Sequence, residues 1–316
     1  VDPDGPDDKG IILPHGAQTS ATREQVTTER GEERGREDER FTPVIVKRTD
    51  EARRHPDDVL EVAIQEGAEQ LNRPLLSLAL SSVTSGLILG FTAMSVAIMT
   101  VAVAGVEEWM LRRFATALVY PLGFVLCLMS GTELFTEHTA TAVYPVLDRR
   151  ASLRKLLRLW LVVAGGNLLG TLASAGLLRA AEPVINAGPG YVAVAEHLVT
   201  PGALPLLFSA LLAGWLMALG AWLILATPPT FSQIMCIYIA TFLIGFGGLH
   251  HSIAGAAEMF AGLFMSEALS VYDAARFLGW ALLGNLIGGS LFVAVLNYGH
   301  IRQTRAVGRT RNSSPT

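Results

Sequence analysis

The sequence is short of charge where it is rich in apolar residues. Only 16% of its 316 residues are charged, against about 25% in an ordinary soluble domain. Residues 75–103 carry no charge at all. A stretch of that length covers a hydrocarbon core about 30 Å thick, which takes roughly 20 apolar residues. Cysteine is scarce too: Cys127 and Cys236 both lie in apolar stretches, where Cys behaves as a small hydrophobe, and neither a disulfide nor a metal site is expected from them. The leading VDPDGPDDKG is acidic and has no apolar core, so no cleavable signal peptide is read there and the first span is expected to direct insertion. The arginines of the polar N-terminal region are interleaved with acids rather than clustered, which gives no support to a nucleic-acid partner. No activated nucleophile and no cofactor motif is visible, so neither an enzyme nor a bound cofactor is expected.

What is present divides the chain. Residues 1–54 are polar and poor in aromatics and read as a disordered tail. Residues 55–73 hold an amphipathic juxtamembrane helix, with Asp57 and Asp58 at its start and Val59, Val62, Ala63 and Leu71 at helical spacing. Residues 74–299 form a six-span domain, and 300–316 a short tail. The spans are placed near 75–103, 114–147, 155–178, 205–227, 233–264 and 277–298. The second and fifth are long, and each is interrupted, by SGTELFTEHT at 130–139 and by GFGGLHHSIAG at 245–255. Irregular backbone at membrane depth survives only where protein buries it or where it lines a wet cavity, so both interruptions point to a binding or permeation site. Arg149, Arg150, Arg154, Lys155 and Arg158 follow the second span, and Arg302, Arg305, Arg309 and Arg311 follow the sixth. The positive-inside rule therefore places both termini in the cytoplasm.

The two interruptions belong to an internal repeat. GGNLLGTLAS in span three matches LGNLIGGSLF in span six; aligning Asn167 with Asn285 gives an offset of 285 − 167 = 118. The same offset carries Thr132 to residue 250, so one interruption falls on the other, with Glu133 opposite His251 and Thr136 opposite Ala254. SGLILGF from 85 and AGWLMAL from 213 relate spans one and four at 213 − 85 = 128. Three spans leave the chain on the far side of the membrane, so consecutive three-span repeats are inverted, and their broken helices face each other near the midplane.

Ionisable groups at that depth are costly and usually face a cavity. His250 and His251 are therefore the leading site candidates, an imidazole being able to give a proton or a hydrogen bond to an anion. Thr136 can donate to an anion or accept from a histidine, and Leu134 and Phe135 beside it can form an apolar constriction. Asn167 and Asn285 sit deep in spans three and six beside glycines, placed to bond across helices or to touch a substrate. Glu133, Glu137, His138 and Glu258 with the two histidines could suggest a metal site, but adjacent histidines on one turn rarely share a metal, and no metal ligand set is assigned.

GTELFT (131–136), GNLLGT (166–171), WLMALGAW (215–222), HHSIAG (250–255) and GNLIGG (284–289) together resemble the formate/nitrite transporter family over roughly residues 57–300. The resemblance implies an all-α, aquaporin-like six-span bundle of two inverted repeats, assembled as a homopentamer with one pore per protomer, in the bacterial cytoplasmic membrane. It implies passage of a small monovalent weak-acid anion such as formate, nitrite or hydrosulfide, channel-like or linked to protons. The family's central histidine looks like His251, and the threonine of its first broken-helix loop looks like Thr136. The chain departs from the family pattern at His250, where an acid is usual, at Gly255, where Asn is frequent, and before span four, where His197 is the nearest base in place of a lysine. Two other readings remain open at this point: a water or neutral-solute pore, although paired Asn-Pro-Ala loops are lacking, and a membrane scaffold or sensor that no longer transports.

Overall fold

The structure is a computed structural model that describes residues 54–302. The tail expected over residues 1–54 and the C-terminal tail fall almost wholly outside the described residues. Among the described residues every regular element is helical, and six helices are long and apolar enough to cross a membrane.

Helix α1, Pro56–Asn72, starts as expected. Its Pro56 stands in the first turn with Asp57 and Asp58, and the His55 Nδ1 accepts from the Asp57 amide at 3.3 Å. Its buried face is Val59, Leu60, Ala63, Ile64 and Leu71, with Val62 only partly covered, so the stripe is turned toward Leu60 and Ile64 from the face read in sequence. The helix lies on the protein itself.

Helix α2, Leu75–Ala102, is the first span. The second is α3, Trp109–Val119, running through Pro121 into α4, Pro121–Met129. After Met129 the helix breaks into two short pieces, α5 (Phe135–His138) and α6 (Tyr144–Leu147). The expected second span of 114–147 is thus helix only in its first half, then turns. Helix α7, Leu153–Ile185, is the third span and outruns its expected end at 178. Helix α8, Gly188–Val199, was not expected. Its Gly-Pro-Gly opening resembles a turn in sequence, yet Pro189 occupies the first helical turn, where a missing amide costs nothing. Helix α9, Ala203–Ala226, is the fourth span. Helix α10, Thr230–Gly247, ends at the second break, and α11, Ser252–Met265, continues beyond it. Helix α12, Val271–Ile287, passes into a π-helical segment, Gly288–Val295, and on to Arg302 as the sixth span.

Packing repeats as the sequence does. Helix α2 lies along α7, and α9 lies along α12 and its π-helical continuation. A Cβ on Gly86 would strike the backbone of Asn167, and one on Gly214, at 86 + 128 = 214, would strike the backbone of Asn285. Gly166 and Gly170 meet the backbone of α2, as Gly284 and Gly288 meet that of α9. This small-xxx-small pattern lets the helices approach to backbone contact. Gly165 points into open space instead. Helix α8 stands where the repeat puts a second copy of α1, since residues 56–72 moved by 128 become 184–200. The outer surface exposes large apolar side chains such as Leu76, Leu161, Val184 and Phe231, the face expected of a body held in lipid.

Candidate functional site

Each broken span ends on a glycine in the left-handed region, Gly131 at φ 67° and Gly248 at φ 59°. A residue with a Cβ rarely takes that conformation. Two residues further on, the freed backbone is caught by the same set of groups in both halves. The Glu133 amide donates to Ser81 Oγ at 3.2 Å, and the His250 amide to Ser209 Oγ at 3.1 Å. The Phe135 amide donates to Asn167 Oδ1 at 2.8 Å, and the Ser252 amide to Asn285 Oδ1 at 2.7 Å. Asn167 Nδ2 donates to the carbonyls of Ser82 and Glu133, and Asn285 Nδ2 to those of Ala210 and His250. Both asparagine amides are fully buried, and their oxygen and both hydrogens are engaged with backbone.

These bonds correct the register read from sequence. Phe135 pairs with Ser252, so the offset at the breaks is 252 − 135 = 117. Glu133 is therefore the counterpart of His250, not of His251. His251 answers to Leu134, and Thr136 to Ile253. The segment from Gly248 to Asn285 is one residue longer than its mate from Gly131 to Asn167, which a single offset cannot show.

The structure brings His251 and Thr136 together: His251 Nε2 lies 2.9 Å from Thr136 Oγ1. Both residues are buried. The ring is fixed from its other side, where Nδ1 accepts from the amides of Ile253 at 3.2 Å and Ala254 at 3.1 Å, capping α11. An Nδ1 that accepts two amide hydrogens carries none of its own, so the neutral ring holds its proton on Nε2. That Nε2–H donates to Thr136 Oγ1, and the threonine hydroxyl is left free to donate onward. Phe124 packs edge-on against the imidazole with ring centres 4.9 Å apart, and Leu134 and Phe135 are buried beside the pair.

His250 turns elsewhere. Its Nδ1 is 2.7 Å from Ser209 Oγ, and its Nε2 is buried. In the first half the equivalent Glu133 is drawn between Arg73, at the end of α1, and His138. The Trp160 indole holds the His138 carbonyl at 3.0 Å. Arg73, Ser81 and Ser209 were not singled out in sequence. The two serines obey the offset of 128 that relates spans one and four, and that rule alone would have found them. No group of three or more His, Cys, Asp and Glu suited to a metal occurs among the described residues.

On the α8 side of the pair a cavity of about 490 Å³ opens, lined among others by Trp109, Arg112, Arg113, Tyr120, His197 and Glu258. Arg113 Nη2 reaches the Gly247 carbonyl at the lip of the second break. Burial, and then the Arg113 charge, push His197 below its usual value, so this base is neutral around pH 7. At the opposite end, Arg150 meets Glu61 at 2.7 Å, Arg158 holds the Leu71 carbonyl at 3.0 Å and Arg302 meets Asp148. The basic loop after the second span, α1 and the end of the sixth span therefore share one end of the bundle.

Residues 57–299 match the Formate/nitrite transporter family. This chain belongs to the formate/nitrite transporter family. Among its relatives, the inner membrane protein YfdC of Escherichia coli is 29% identical over 242 residues, covering 75% of this chain and 76% of the relative. Two solved structures share the fold of this transporter-family chain. One, titled an FNT family ion channel, superposes with a TM-score of 0.69 at 22% identity, over 78% of this chain and 99% of its own. The other, a pentameric formate channel with formate bound, gives a TM-score of 0.63 at 20% identity, over 72% of this chain and 98% of its own.

Proposed function

We propose that each protomer passes a small monovalent weak-acid anion of the formate or nitrite type, and that Thr136 and His251 form the polar step of its path. The observation that carries this reading is the contact between Thr136 and His251, made across the two broken spans at the centre of a transporter-family bundle. The anion enters through the vestibule lined by Arg112 and Arg113, whose charges raise its local concentration. At the centre it takes the Thr136 hydroxyl and the His251 Nε2–H as donors. With Nδ1 capping α11, the ring cannot surrender its Nε2 proton without becoming an imidazolate. Its work is hydrogen bonding, and it gains a second proton only by releasing the cap. Leu134, Phe135 and Phe124 keep the step narrow and dry, which favours the neutral acid over its anion. The asparagines and serines of the two turns hold the backbone and do not touch the solute. The pentameric formate channel that shares this fold supports a homopentamer with one path per protomer, and the basic end bearing α1 supports cytoplasmic termini.

Radiolabelled formate and nitrite uptake into proteoliposomes tests the reading. His251→Leu copies the residue of the other half, and Thr136→Val removes the hydroxyl at constant shape. Each is expected to lower uptake about a hundredfold, the scale of losing one buried donor to a passing charge. Wild-type uptake no faster than empty liposomes would sink the proposal.

A further inference from the structure

Glu258 brings a carboxyl group into a basic vestibule. It is the only acid among the residues lining that cavity, where Arg112, Arg113 and His197 are the bases. Its side chain is 5% exposed and has no hydrogen bond or ion pair among the described residues. It lies seven residues after His251, two helical turns along α11, and so on the same face, about 10 Å toward the vestibule. The helices packed on α11 bring few charges to it. Helix α2 has none, α8 brings His197 and the buried Tyr191 hydroxyl while its Glu196 lines a separate pocket with Arg179 and Glu182, and the junction of α3 and α4 brings the Tyr120 hydroxyl. The ionisable groups that α5, α7 and α12 carry belong to other neighbourhoods: Glu137 and His138 beside Glu133, Arg154, Lys155 and Arg158 at the end of the bundle that holds α1, Arg179 and Glu182 around the Phe264 carbonyl and Gly188, and Asp273 and Arg276 at Ser270 and Pro201. The other half has no equivalent acid, since 258 − 117 = 141 is a threonine.

A fixed carboxylate here would repel the anions that the vestibule gathers, and an unpaired buried carboxylate is costly. A carboxylic acid does neither. We propose that Glu258 hands its proton to the permeating anion in the vestibule, ahead of the Thr136–His251 step. This rests on the transport reading above and deepens it to proton-linked passage of a weak acid. The Glu258 O–H bond breaks, and the proton moves to an oxygen of the anion; formate becomes formic acid, and Glu258 becomes a carboxylate. The transfer is uphill and is drawn forward because the neutral acid leaves through the apolar step. The carboxylate regains a proton from vestibule water, and the acid ionises on the far side. One proton travels with each anion.

The test uses full-length protein in proteoliposomes with a trapped pH dye and an external pulse of labelled formate. For the wild type, label uptake and lumen acidification should advance together. Glu258→Gln should slow uptake about tenfold or more near neutral pH, with recovery only in acid, where the bulk supplies formic acid. Glu258→Asp should restore the wild-type pH profile. A Glu258→Gln protein with wild-type uptake and profile would overturn the proposal while leaving the transport reading standing; an inactive wild type would sink both. A measurement on the unaltered protein covers the case in which the variants fail to assemble. A hydrophobic carbodiimide, which modifies protonated carboxyls in apolar settings, should label Glu258 and stop uptake, and excess formate should slow the labelling. Absence of label at Glu258 overturns the proposal.

Discussion

At the first turn, Glu133 is drawn between Arg73 and His138; at the second, His250 in the equivalent place meets one serine hydroxyl. One residue on, the pair is Leu134 and His251. The backbone of both turns is held by the same serine and asparagine bonds, so the scaffold is duplicated and the chemistry is not. The halves have divided the work. The first ties its charge to α1, outside the spans, and lends the centre a hydroxyl and apolar walls. The second leaves its imidazoles without an ion pair among the described residues and, in the reading proposed above, supplies the donor and the acid that meet the solute.

The sharpest way to break this comparison is to give both turns the same charge. His250→Glu places an acid where the first half has one, but the position equivalent to Arg73, at 73 + 128 = 201, is a proline. The new carboxylate is left buried without its cation, at a cost of about 3–5 kcal/mol, read as a drop in thermal or denaturant stability in detergent. Adding Pro201→Arg should recover part of it. An unchanged His250→Glu protein would mean that the second turn is wetter than its burial says.

Next in size are the clamps. Asn167→Ala and Asn285→Ala each leave one amide and one carbonyl of the break, and one carbonyl of α2 or α9, without their asparagine partner, costing about 3 kcal/mol or more. Because the bonds are equivalent, the two losses should agree within about 1 kcal/mol. Unequal losses would show that the halves differ in rigidity as well as in chemistry.

The smallest effect belongs to the vestibule. His197 is held below its ordinary value by burial and by Arg113, so the folded protein resists a proton that the unfolded chain takes up. Its contribution is therefore complete above the unfolded imidazole value, and stability falls as pH drops through that value toward the lower folded one. His197→Gln should remove that acid sensitivity, a change of under about 1 kcal/mol in stability at pH 5 to 6. It should also remove the rise in apparent anion affinity that the new charge brings, about two- to threefold. Identical pH profiles with and without His197 would place the acid response elsewhere.

Much of the bundle was legible in the residues alone. Six apolar runs, two polar interruptions and the Asn167–Asn285 match lead to inverted repeats, and the Thr136–His251 contact follows from broken helices meeting. The register at the breaks was not legible. A single offset taken from the asparagines cannot see that the loops leading to them differ by one residue, and only the hydrogen bonds from Phe135 and Ser252 fix it. Helix α8 was hidden because Gly-Pro-Gly reads as a turn and because 12 residues are too few to announce a span. The Arg73–Glu133–His138 group joins residues far apart in sequence, and no periodicity links a helix end to a turn.

In the sixth span, residues 288–295 wind more widely than the matching part of the third, residues 170–177, which stays α-helical. A wider coil takes up an extra residue over the same climb, and each residue taken up turns the remainder of the helix by about 100°. Tyr298 and Arg302 thereby arrive facing Asp148, with the tyrosine hydroxyl at 3.0 Å. The span thus carries a spare letter. Deleting one residue from the stretch should leave an ordinary α-helix that still crosses the membrane and still presents Asn285 to the second break, while its last turns rotate off Asp148. The last turns of the sixth span can thus be re-aimed by a change of length, at the expense of the buried Val293, Ala294 and Ile301 that pack there.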